Sequence, residues 1–178
     1  MLTQLSRIRG GRGFSMIELM VGIAIVAVIA ALAAPSFKAL VANAQIRTAA
    51  QALHDGLKLA RVEAIRRNQR VTFVKAAGAG WTVSVDSPLE VVQTRSAGEG
   101  SAAATVASTP AGGTEVSFNS LGRVIDPGAA ATITRLDVSV PTSVLAPTLA
   151  KNLRITVSSG GAIRLCDPAA PAGVGMGC

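Results

Sequence analysis

Residues 14–34, FSMIELMVGIAIVAVIAALAA, form an apolar run of 21 residues that carries one charge, Glu18. As a helix at about 1.5 Å per residue the run is about 32 Å long, enough to cross a bilayer core of about 30 Å. A carboxylate in such a segment costs about 2.5–3.5 kcal/mol at mid-membrane on insertion scales, and less near an end. Its presence calls for a partner. Residues 1–13 hold Arg7, Arg9 and Arg12 and no acid. The positive-inside tendency keeps that side cytoplasmic and puts residues 36–178 across the membrane.

Residues 36–67 read as an amphipathic helix. Ile46, Ala50, Leu53, Leu57, Ala60 and Ala64 recur at spacings of four and three, which is one helical face. Pro35 can kink the junction, because it removes a backbone donor and crowds the preceding turn. Gly56 inside the pattern costs about 1 kcal/mol against Ala. Phe14–Arg67 could form one rod of about 80 Å. After Asn68 the period changes to two. Strands are expected at 71–75, 81–86, 90–96, 114–120, 132–140, 153–159 and 162–166, with residues 97–113 as a small-residue loop. The organisation is thus a basic leader (1–13), an apolar segment (14–35), an amphipathic helix (36–67) and a β-rich head (68–178). A long helix followed by about seven strands predicts an α+β fold, an antiparallel sheet or sandwich packed on the amphipathic half of the helix.

The net charge of +7 is unevenly spread. Residues 36–67 hold six Lys/Arg and two acids, whereas residues 68–178 hold eight and seven. The nearly neutral head argues against bulk polyanion binding. Catalysis is not expected. The sole histidine, His54, beside Asp55, reads as a surface polar residue rather than a general base. His, Cys, Asp and Glu show no metal-ligand spacing, and neither a phosphate-cradling loop nor a nucleophile elbow is present. No cofactor is expected. Cys166 and Cys178 could close a small loop worth about 3 kcal/mol in an oxidising compartment; the alternative is two free thiols.

The stretch RGFSMIELMVGIAIVAVIAALAAPSF resembles the N-terminus of type IV pilins and type II secretion pseudopilins. Such chains have a short basic leader ending in Gly, then a hydrophobic residue, then Glu at the fifth mature position, then an apolar helix. Here these are Gly13, Phe14 and Glu18. ARVEAIRRN (60–68), the strands after it and the ending SGGAIRLCDPAAPAGVGMGC resemble the FimT/GspH-like minor pilin branch. The resemblance implies a single-pass inner-membrane protein with a periplasmic head that passes into a pilus or pseudopilus. It implies cleavage between Gly13 and Phe14 by a prepilin peptidase, which also N-methylates Phe14, and assembly with other pilins or pseudopilins. Glu18 would pair with the amino group of Phe14 of a neighbouring subunit, since a pair offsets much of the cost of either charge alone.

A pseudopilin of a type II secretion system is the alternative within that class. A second alternative comes from Ala31–Ala33, an A-x-A site behind an apolar stretch, which would release a soluble periplasmic protein. The length of the apolar run and Glu18 argue against it. Some FimT-like proteins bind DNA through a C-terminal Gly-Arg-x-Arg motif. Here the matching residues are Gly161, Ala162, Ile163 and Arg164, so Ala162 replaces the first Arg. Lys151 and Arg154 are close in sequence and could join Arg164 in a patch. With one Trp and no Tyr in the chain, contact would be to phosphates and salt-dependent.

Overall fold

The computed structural model describes residues 14–128, 131–171, 173 and 175–178. Gly13 lies outside the described residues. The chain divides into two compact units at Phe37/Lys38. The helix α1, Met16–Arg67, contributes to both and contains Pro35.

In the first unit the helix has a span of mean hydropathy 2.6, none of it buried, which is long and apolar enough to cross a membrane. Ser15 caps its start, accepting a hydrogen bond from the Glu18 backbone N–H at 3.2 Å.

In the second unit α1 buries Ala42, Ile46, Ala49, Ala50, Leu53, Gly56, Leu57, Ala60, Glu63 and Ala64. The expected stripe is all among them. The face is rich in Ala, so the sheets can approach the helix axis closely. Asn68 stops the helix at φ 53°, the left-handed conformation of a C-terminal cap, and Gln69 N–H donates to Ala64 O at 3.2 Å.

Nine strands follow: β1 Val71–Lys75, β2 Trp81–Asp86, β3 Leu89–Arg95, β4 Thr105–Thr109, β5 Glu115–Phe118, β6 Val124–Ile125, β7 Arg135–Ser139, β8 Leu153–Val157 and β9 Ile163–Cys166. They form two antiparallel sheets, the sandwich alternative of the expected fold, ordered β3-β2-β1-β5-β6 and β4-β7-β8-β9. A single core joins α1 to the inward residues of both sheets, among them Phe73, Val83, Val116, Phe118, Leu136, Val138 and Ile155. The sheets are stitched by Val124 N–H donating to Ser159 O and Ile133 N–H donating to Glu115 O.

Two readings need correction, and one short strand had no reading at all. Residues 97–113 are not all loop, because they hold β4. Its TVAST sequence pairs with β7 as an edge strand, and such a strand of small and polar residues has no hydrophobic alternation to detect. Strand β6 is only two residues long, too short to register as a period. His54 is not a surface residue. Its side chain is 16% exposed and lies against the Ile163 backbone, and burial lowers its pKa, with Lys58 adding to the effect.

Candidate functional site

Phe14 and Glu18 lie at the start of the described residues and both are exposed. Glu18 stands in the first turn of α1, where the helix dipole favours a negative charge. Ser15 and Glu18 have the S-x-x-E spacing of a capping box, of which the Ser15 half is formed. That spacing was available in the sequence as a helix-start signal, beside the partner argument for the carboxylate.

In the head, strand register sorts the cationic side chains. Asp137 is opposite Arg154, and Arg154 is opposite Cys166; Arg135 is opposite Thr156, and Thr156 is opposite Arg164. Paired residues share a face, so Arg135, Arg154 and Arg164 all stand on the face away from Leu136, Ile155 and the core. Asp137 lies between two of them, with its carboxylate 2.6 Å from Arg154 Nε and 2.9 Å from Arg135 Nε. Arg164 is exposed and forms no ion pair among the described residues. The face thus holds three arginines against one carboxylate.

Lys151 does not join them. It lines a groove of about 360 Å³ on the helix side of the sheet, with Asn43, Arg47 and Gln51 of α1 and with Leu153, Leu165, Asp167 and Met176. The fold therefore brings Arg154 and Arg164 together and separates Lys151 from both. Arg135 was missed, although its alternation with Asp137 in TITRLDVSV places both on one strand face. Arg47 was missed because it stands far from the C-terminus in sequence.

Cys166 and Cys178 are joined by a disulfide. The closed loop is tied down further by Asp167, whose N–H donates to Met176 O at 2.6 Å, while Cys178 N–H donates to Asp167 O at 3.3 Å.

At the end of α1, Glu63 is 8% exposed. It accepts from Arg66 at 2.7 Å and from Arg67 at 2.8 Å. Arg67 also reaches Glu90 of β3 at 2.6 Å. The hydrogen bonds from Arg66 and then Arg67 hold the Glu63 carboxyl down at about 2, and those from Arg67 lower Glu90. The ARVEAIRRN stretch thus clamps the helix end to the first sheet.

An apolar helix capped by Ser15 with a carboxylate in its first turn, and a two-sheet head on an Ala-rich amphipathic helix, define a pilin-like class of protein. The family model described as Type II transport protein GspH matches residues 49–170, and the prokaryotic N-terminal methylation motif matches residues 8–34. The chain belongs to this GspH family of minor pilins and pseudopilins, a structural, non-enzymatic type that assembles with other pilins or pseudopilins. No curated protein matches the chain. Among solved structures, the type IV minor pilin FimU of Pseudomonas aeruginosa in a P21 crystal is similar, with TM-score 0.51 and 17% identity over 71% of this chain and 92% of that one. The same protein in a P65 crystal gives TM-score 0.49 and 16% identity over 71% and 97%.

Proposed function

We propose that the chain is a minor subunit of a type IV pilus. It inserts once in the bacterial inner membrane with its head in the periplasm. A prepilin peptidase cuts between Gly13 and Phe14 and methylates the new terminus. The helix from Phe14 then packs among the helices of other subunits, and Glu18 pairs with the Phe14 amine of a neighbour. The observation that carries the reading is the joint match of one chain to the methylation motif and to the GspH family, with a carboxylate at the fifth position after Gly13. The methylation motif also argues against cleavage after Ala33. The description of the family as type II transport favours a second reading, a pseudopilin of a secretion system.

The outward face of the second sheet gives the head a further role, contact with DNA phosphates through Arg154 and Arg164, joined by Arg135. Asp137 neutralises part of this face, so the affinity is modest and falls with salt. Deletion of the gene, scored for surface pili and for secreted proteins in the same strain, tests the main reading. Loss of pili with secretion intact is expected; the reverse outcome would assign the chain to the secretion system.

A further inference from the structure

The groove beside Lys151 is independent of the arginine face and is not used by the reading above. Its floor is apolar, from Leu153 and Leu165, with Met176 of the disulfide loop as one wall. Arg47 and Lys151 line it, and among the described residues neither forms an ion pair. A second groove of about 260 Å³, lined by Leu40, Asn43, Ala44, Arg47 and Lys151, continues from it. The two cations therefore stand where the grooves meet, along a channel rather than a closed cavity. The channel is built. Asn43 donates to Leu149 O at 3.0 Å and accepts from Lys151 N–H at 2.8 Å, which fixes the Lys151 backbone against α1. The disulfide and the Asp167–Met176 hydrogen bond hold the opposite wall.

We propose that this channel binds an extended acidic peptide segment of a partner protein, with an apolar side chain seated on Leu153 and Leu165 and flanking carboxylates on Arg47 and Lys151. Charge selects the occupant: two unpaired cations beside an apolar floor match alternating carboxylate and aliphatic side chains. A nucleic acid strand fits worse, because it has no aliphatic side chain for the floor. Gln51 is exposed at the edge of the channel, with its amide available to the peptide backbone.

The test uses the full chain in detergent micelles and the fluorescent peptide Asp-Glu-Leu-Asp-Leu-Glu, with Asn-Gln-Leu-Asn-Leu-Gln as the uncharged control. Expected is saturable binding of the acidic peptide only, weakened about tenfold or more by Arg47→Gln with Lys151→Gln, and unchanged by Arg164→Gln. Both groove substitutions are at exposed positions, and an unchanged melting temperature verifies the fold. No binding of the acidic peptide, or equal binding by wild type and the double variant, overturns the proposal. So does a labelled DNA duplex whose binding is lost in the groove variant and kept in Arg164→Gln, because the channel would then be a polyanion site.

Discussion

Gly56 stands where α1 meets the aromatic pair Phe73 and Trp81, whose ring centroids are 6.0 Å apart. A Cβ there would lie 2.7 Å from Trp81 Cε2 and 3.0 Å from Phe73 Cε2. Helix propensity favours Ala at this position by about 1 kcal/mol, but overpacking a filled core costs about 1–3 kcal/mol. Both rings are buried and cannot withdraw cheaply, so the clash wins. Gly56→Ala should lower the melting temperature of the full chain by about 2–6 °C; a rise would mean that the close approach is wrong. The sequence showed Gly56 only as a weak point in a helix, because its reason is a ring that arrives from a strand 25 residues later. Glu63 was equally opaque, since its partners include an arginine that bridges on to β3. Its folded pKa of about 2 lies below the ordinary 4.5. The clamp therefore contributes fully above about pH 4.5 and is lost as pH falls toward 2. Melting temperature measured across that window should fall less steeply in Glu63→Gln than in wild type; parallel curves would remove the clamp from the account.

The elements differ in how much of them could be read beforehand. The buried stripe of α1 and strand β2, whose buried and half-buried residues alternate, follow from periods of 3.6 and 2, whereas β1 buries Val71, Thr72 and Phe73 in succession and is legible from its β-branched and aromatic residues. Strand β4 was not legible, since an edge strand of Thr, Ala and Ser is specified by its pairing with β7 rather than by its own pattern. The arginine face was half legible. Arg154 and Arg164 were foreseen, but Lys151 precedes β8 and is held against α1 by the hydrogen bond from its N–H to Asn43, a contact across 108 residues of sequence. At this scale Arg164→Gln should weaken duplex DNA binding at low salt, and Ala162→Arg should strengthen it, because residues 162 and 164 alternate to the same face. A fluorescence titration at two salt concentrations reads both, and binding that ignores both substitutions would exclude this face. For the apolar helix, Glu18→Ala should leave cleavage and membrane insertion intact and reduce the amount of subunit in sheared filaments, since in the proposed pairing it would remove the partner of a neighbour's amine. Wild-type levels of the variant in that fraction would leave Glu18 only its place in the first turn behind the Ser15 cap.

For the whole molecule, one sequence specifies two physically different solvents. The apolar helix of the first unit is exposed along its described residues, which water does not tolerate but lipid or neighbouring helices do. The second has a core of its own, a disulfide, and fourteen Lys/Arg against nine Asp/Glu. Membrane entry followed by transfer into a filament satisfies both, and in the function proposed above processing at Gly13 would create the amine that Glu18 meets. The most direct test is the intact mass of the protein extracted from membranes. The account predicts a chain that begins at N-methylated Phe14, with Cys166 and Cys178 joined. A chain that begins at Ala34, or one that retains residues 1–13 in a cell with an active prepilin peptidase, would contradict it.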